Sequence, residues 1–353
     1  MIRHAVNRQW IALASLSSLL VVEPANGCTR CMRVFADGTV LVARSMDWVE
    51  DPGSEIWVFP KGVKRNGNAG STSLEWKSIY GSVAVSFYGI ATVDGMNEKG
   101  LVANTLYLAE SDYGPTVDGR PDLSIGGWAQ YVLDQYATVA ESVAALEKEP
   151  FTIVAPMLPN GEAGVGHLAI SDPSGDSAIL EYIDGKLHIH HGRDYNVMTN
   201  SPPFDDQLAL NAYWRRIGGN VMLPGTIRAD DRFVRASYYI NAIPHDLSGD
   251  RAIASIFSVI RNVSSPLGMQ TPGEPNVAST VWRTIHDQTH RVLYFDSATS
   301  PTVFWVPLDQ CDLEAGSPVK RLPLKGGETY SGDASGTFRP ADSFEFLRAS
   351  PRR

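Results

Sequence analysis

A thiol and a free α-amine on one residue place a nucleophile beside a base, and the stretch Ala25-Asn26-Gly27-Cys28-Thr29-Arg30 could make such a residue. Upstream lie Arg3 and Arg8, an apolar run from Trp10 to Val22, and Pro24. These are the basic, apolar and small-residue regions of a secretory signal peptide. Ala25 and Gly27 occupy its −3 and −1 positions, so the expected cut falls after Gly27 and makes Cys28 the first mature residue. An unperturbed α-amine titrates at about 7.7–8.0 and a free thiol at about 8.5. The amine can therefore take the thiol proton near neutral pH and activate the sulfur for attack on a carbonyl.

Other readings compete for the same cysteine. Cys28 and Cys31 form a C-x-x-C pair, but a thioredoxin-like pair opens a helix in a βαβ setting, and here an extended stretch follows. A lipid-anchored cysteine wants Leu at −3 and a small residue at −2, where this chain has Ala25 and Asn26. A structural cysteine without chemistry is the remaining alternative. With only Cys28, Cys31 and Cys311, a disulfide scaffold is excluded at this size.

The elements that must position Cys28 begin with a hairpin. CTRCMRVF and VLVARSMDW flank Ala36-Asp37-Gly38-Thr39, and Asp-Gly between two β-rich runs is a strong hairpin signal. With Asp37 and Gly38 as the two turn residues, Ala36 opposes Thr39, Cys28 opposes Asp47 and Cys31 opposes Arg44. Asp47 would then hold the new amine, while Arg44 would point to the other face unless the ladder bulges. Further on, residues 53–80 read as loop with irregular strand, 82–87 and 101–108 as strands, and 94–100 as a polar turn between them. Helices are expected at 124–136 and, opened by a Thr138–Glu141 capping box, to about Lys148. Strands at 167–171, 177–183 and 186–191 form a meander. Helices follow at 206–216, 230–243 and 250–262, and strands at 279–287, 290–297 and 302–307. His188, His190 and His191 read as solvated strand residues, since no further spacing supports a metal site. Hairpins at both ends with helices between them indicate an α+β fold with antiparallel sheets. No repeat or linker divides residues 28–353, so one domain is expected.

Composition narrows the class. The chain has 353 residues and a net charge of −9, with Arg3, Arg8 and Glu23 in the presequence, so the mature protein carries −10. That balance argues against nucleic acid and anionic membranes as partners. No apolar run after Val22 reaches the ~18–20 residues of a membrane span, so a soluble, exported protein without a membrane anchor is expected. G-x-S-x-G, H-E-x-x-H, G-x-G-x-x-G and P-loop motifs are missing.

A set of ordered words adds to this reading: CTR at 28–30, R-x-x-D-W at 44–48, DGMNEKGL at 94–101 and TNSPPF at 199–204. LPG at 223–225, DRFVRA at 231–236, TVWRTIHD at 280–287 and the YF…FW pair at 294–305 continue it. Together they resemble the choloylglycine hydrolase family, which comprises penicillin V acylases and conjugated bile-salt hydrolases. The resemblance runs from Cys28 to about Leu308. It implies an N-terminal nucleophile (Ntn) hydrolase fold, a four-layer αββα sandwich with two antiparallel sheets, and hydrolysis of a linear carbon–nitrogen amide bond without metal or organic cofactor.

The same resemblance implies the site. Cys28 matches the nucleophile, Arg44 and Asp47 the arginine and aspartate beside it, Asn200 the side-chain oxyanion donor and Arg232 the second site arginine. Tyr107 falls where bile-salt hydrolases tend to have Asn and penicillin V acylases Tyr, and its backbone N–H would be the other oxyanion donor. Trp48 and Tyr107 are expected to line an acyl pocket. Without the resemblance, Arg44–Asp47 reads as a surface ion pair, Asn200 as a turn residue before Pro and Arg232 as a helix-face charge. The expected substrate is a small N-acyl amide of the penicillin V type, with acyl-homoserine lactones and conjugated bile salts as alternatives. A secreted thiol redox or binding protein is the reading from another class. The 201–222 segment is shorter than in the Gram-positive enzymes, which weighs against the homotetramer that the longer segment helps to build. Together with the long presequence, it resembles the Gram-negative branch and a periplasmic location.

Overall fold

Phe35 N–H donates to Thr39 O at 2.9 Å and Gly38 N–H to Phe35 O at 3.0 Å, so the first hairpin turns on three residues, Ala36-Asp37-Gly38. The computed structural model describes residues 27–219, 221–269 and 278–350, so the expected signal peptide, apart from Gly27, lies outside the described residues. Gly38 takes the left-handed conformation (φ 86°) that such a turn needs. The expected two-residue turn is therefore wrong by one residue, and so is the register. Strand β1 (Thr29–Val34) pairs with β2 (Val40–Trp48) so that Arg30 opposes Arg44 and Cys31 opposes Ala43. Because side chains alternate across a strand, the one-residue shift puts Arg44 on the face that carries Cys28. No bulge is needed.

This hairpin is the centre of a seven-stranded sheet. Val197–Thr199 flanks β1, and Ser279–Asp287, Val292–Ser297 and Val303–Pro307 continue from β2, all antiparallel. Gly332–Asp333 ends the sheet in parallel. The second sheet has nine strands and is antiparallel throughout. Its order is Lys186–His191, Ser177–Ile183, His167–Ser171, Val102–Leu106, Ala91–Asn97, Ser82–Phe87, β3 (Ile56–Phe59), Lys320–Leu322 and Arg339–Pro340. Residues expected to be mostly loop thus contribute an interior strand. IWVF is only four residues long in a Gly- and Ser-rich stretch, and its burial on both faces leaves no alternation to read.

Among the described residues, five α-helices cover the sheets. Helices α1 (Trp128–Gln135) and α2 (Val139–Leu146) pack on the nine-stranded sheet. Thr138 Oγ1 accepts from Glu141 N–H at 3.2 Å and Glu141 Oε2 from Ala137 N–H at 2.9 Å, close to the expected capping arrangement. Helices α4 (Ala229–Ala242) and α5 (Gly249–Asn262) pack on the seven-stranded sheet, with α3 (Phe204–Ile217) against α4. The layers are therefore helix, sheet, sheet, helix: the expected αββα sandwich. Between the sheets lies a core built from Met32, Val42, Met46, Val85, Met96, Leu106 and Ile179, each no more than 2% exposed.

Of the segment expected to be a polar turn at 94–100, only the end is one, where Gly100 N–H donates to Asn97 O at 2.8 Å. The strand runs on through Asn97, and Asp94 is fully buried between the sheets. Its carboxylate accepts from Thr284 Oγ1 at 2.6 Å, is hydrogen-bonded to His286 Nε2, and lies 3.9 Å from Arg44 Nη1. A charge survives such burial only when it is paired in this way. The His188–His191 segment is an edge strand, and no cluster of three metal-ligating side chains occurs among the described residues.

Candidate active site

Alternation along β2 divides the site between two faces of one sheet. Cys28, Arg44 and Met46 face the second sheet, whereas Thr29, Ser45 and Asp47 face the helices. On the inner face Arg44 Nη2 lies 3.7 Å from Cys28 Sγ and donates to Thr105 O at 2.9 Å. Its Nη1 donates to Val93 O at 2.5 Å. The guanidinium also sits over the Trp282 ring, 5.1 Å from its centroid. Arg44 is thus fixed by acceptors on two strands of the other sheet, with one edge turned to the sulfur. Met46 Sδ, at 3.8 Å, completes the surroundings of the thiol.

On the outer face Asp47 is fully buried and accepts from Arg232 Nη1 at 2.6 Å, from Ser45 Oγ at 3.3 Å and from Thr280 Oγ1. Burial pushes its carboxyl above the ordinary value, against the opposing pull of Arg232 and the two hydroxyls. Arg232 comes from α4 and is 1% exposed. It also donates to Thr29 Oγ1 at 3.0 Å and to Gly27 O, the carbonyl of the bond before Cys28. Gly27 fits against this guanidinium so closely that a Cβ would fall 1.4 Å from Arg232 Nη2. From the far side Asn200 Oδ1 accepts Cys28 N–H at 2.7 Å. The backbone around Asn200 is held in turn by Gln207 of α3, whose Nε2 donates to the Asn200 and Pro202 carbonyls, each at 2.6 Å.

Above the thiol opens a cavity. Cys28 and Arg44 form its polar end, and Trp48, Phe87, Val93, Leu106, Tyr107, Ile125 and Leu158 its apolar walls. Trp48 stands edge-on to Phe87 and Tyr107, with ring centroids at 5.2 and 5.9 Å. The structure therefore gathers the expected site residues: Arg44 lies beside the Cys28 sulfur and Asn200 on its nitrogen, Asp47 and Arg232 pair on the opposite face of the sheet, and Trp48 and Tyr107 stand in the cavity walls.

A sequence profile of linear amide C–N hydrolases, choloylglycine hydrolase family, matches residues 28–321. The chain belongs to the choloylglycine hydrolase family. It is 51% identical over 330 residues to a penicillin V acylase of Pectobacterium atrosepticum, covering 87% of this chain and 88% of that protein. A penicillin V acylase structure from Agrobacterium tumefaciens is 54% identical, with a TM-score of 0.84, and covers 91% of this chain and 99% of that one. A conjugated bile acid hydrolase structure from Clostridium perfringens gives a TM-score of 0.72 at 22% identity, over 84% of this chain and 97% of that one. At that identity the likeness is one of fold, which is the Ntn-hydrolase fold. As a choloylglycine hydrolase family member the protein is a hydrolase of carbon–nitrogen bonds in linear amides. The redox reading also fails on geometry. Cys28 and Cys31 are both free, and residues three apart on a strand face opposite ways. Burial pushes the Cys31 thiol up to about 12.

Several residues around the site went unread. Gln207 bonds to carbonyls five to eight residues before it, behind Asn200, and Thr280 meets Asp47 from 233 positions away. Asp94 and His286 lie inside the words DGMNEKGL and TVWRTIHD, which carried the family resemblance, yet no residue role follows from the words alone.

Proposed function

We propose that the protein is an exported penicillin V acylase-type amidohydrolase whose nucleophile is Cys28, freed at the amino terminus by removal of residues 1–27. The observation that carries this reading is the position of the Cys28 thiol, 3.7 Å from Arg44 Nη2 at the polar end of an otherwise apolar cavity. The family match that begins at residue 28 supports the cut. The aromatic wall of Trp48, Phe87 and Tyr107 favours an aryl acyl group, and edge-on aromatic contacts reward one beyond simple burial.

The reaction follows from the residues. The α-amine of Cys28, directly or through one water, takes the thiol proton. Arg44 stabilises the thiolate, which attacks the amide carbonyl. Charge on the carbonyl oxygen is met by Asn200 Nδ2 and the Tyr107 N–H. The ammonium returns its proton to the leaving nitrogen, the C–N bond breaks, and a thioester remains. Water then attacks the thioester while the amine takes its proton, and the carboxylic acid and free thiol are restored. Asp47, held by Arg232, orients the terminus from the opposite face.

Amino-terminal sequencing of the exported protein, combined with penicillin V turnover by wild type and Cys28→Ala, tests the proposal. A mature terminus at Cys28 and turnover abolished by the substitution are expected. Full activity in Cys28→Ala, or a mature terminus elsewhere, would overturn it.

A further inference from the structure

Tyr88 occupies a costly position for its size. Phe87, Tyr88, Gly89 and Ile90 form the tight turn after Ser82–Phe87, closed by Ile90 N–H to Phe87 O at 3.1 Å. Tyr88 and Gly89 both take positive φ, 54° and 68°, which is the primed hairpin turn that favours Asn-Gly. A bulky residue at the first of these positions is an outlier, and such outliers persist where surrounding contacts impose them.

The contacts here converge on one atom. Tyr88 Oη accepts from Trp48 Nε1 at 2.9 Å and donates to Glu50 Oε1. Its ring stands edge-on to Phe87, with centroids at 4.6 Å, and its N–H donates to Pro52 O at 2.9 Å. Trp48 is 4% exposed and forms the cavity wall between Phe87 and Tyr107. One hydroxyl therefore joins the end of β2, the segment after it and the neighbouring turn, and it fixes the rotation of the wall indole. Sequence reading gave Tyr88 no role.

We propose that Tyr88, braced by Glu50, is a positioning residue that holds Trp48 in the orientation selecting a flat aryl acyl group over a flexible alkyl chain. The inference rests on the reading of this cavity as the acyl site. Loss of the hydroxyl leaves the indole free to turn into the cavity, which penalises a rigid ring more than a chain that can bend around it. The Cys28 thiol and Arg44 are held by other partners, Met46 Sδ, Val93 O and Thr105 O.

The test is protection of Cys28 in the mature enzyme against iodoacetamide by phenoxyacetate and by octanoate, followed by mass spectrometry of the alkylated residue. Tyr88→Phe keeps the ring and the turn. It is expected to weaken phenoxyacetate protection relative to octanoate by roughly fivefold, the worth of one hydrogen bond, with the unprotected alkylation rate unchanged. Glu50→Gln shifts the ratio the same way by less. In a Trp48→Phe background, Tyr88→Phe is expected to do nothing further, because Tyr88 acts through the indole. An unchanged protection ratio in Tyr88→Phe, or an undiminished shift in the Trp48→Phe background, overturns the inference. Penicillin V turnover by wild type, measured alongside, is a separate readout: its absence would sink the proposed function without touching the protection ratio.

Discussion

Arg232 Nη1 and Asp47 Oδ2 lie 2.6 Å apart, with side chains 1% and 0% exposed, on the helix-facing side of the sheet whose other side holds the Cys28 thiol. One pair thus supports the nucleophilic residue from behind. Asp47→Asn keeps the shape and leaves a buried guanidinium without its counter-charge. Breaking such a pair costs about 3–5 kcal/mol. Guanidinium chloride unfolding of the mature protein is expected to show that loss, and Asp47→Asn with Arg232→Met to recover part of it, since no lone charge is left. A double variant no more stable than the single one would contradict this account.

Asn200 is placed by Gln207, so the two residues make a graded pair of variants. Asn200→Ala removes the proposed side-chain oxyanion donor, a loss of about 10²–10³ in kcat for donors of this kind. Gln207→Ala leaves Asn200 in place and frees only the loop that carries it, so a smaller fall in kcat is expected. Steady-state kinetics on penicillin V with both variants check the order. Equal losses would mean that Asn200 acts through loop structure alone.

The acid limb of stability should report the layer between the sheets. Burial pushes Asp94 up, but His286, Arg44 and Thr284 outweigh it and hold its carboxyl below the usual range. Burial likewise pushes Glu181 up, and His167, with the Phe204 N–H at the start of α3, outweighs it and lowers that carboxyl too. A lowered folded-state value contributes stability that is present above the unfolded value of about 4 and is lost as pH falls through the folded one. Unfolding free energies measured from pH 6 to pH 3 should therefore fall less steeply in Asp94→Asn and Glu181→Gln than in wild type. Identical slopes would show that other carboxylates control the acid limb.

What the sequence conveyed about this molecule follows from how local each signal is. The Thr138–Glu141 box is complete within a few residues, and it marks the start of a helix directly. The register of the first hairpin is not local in that sense. Asp37-Gly38 fits a two-residue turn as well as the last two positions of a three-residue one, and the choice decides whether Arg44 faces Cys28. Asp94 looked like a turn residue because a buried carboxylate is legible only once its partners are known, and His286 lies 192 positions away. The site residues were legible through the ordered words of a family, whereas Gln207, Thr280 and Tyr88 depend on contacts that only the folded chain makes.

Arg44 gives the sharpest test of the corrected register. Its two terminal nitrogens reach Val93 O, Thr105 O and the Cys28 sulfur together, which a planar guanidinium can do and a lysine ammonium cannot. In Arg44→Lys the charge is kept, but the stem is expected to follow the two carbonyls and draw the ammonium away from the sulfur. The thiolate then loses its nearest cation. Alkylation of Cys28 by iodoacetamide at pH 7 should therefore slow by roughly tenfold. The amine and the outer-face pair of Asp47 and Arg232 are untouched by the substitution. If the alkylation profile of Arg44→Lys overlays that of wild type, the sulfur does not depend on Arg44, and sharing a face with Cys28 has no chemical consequence.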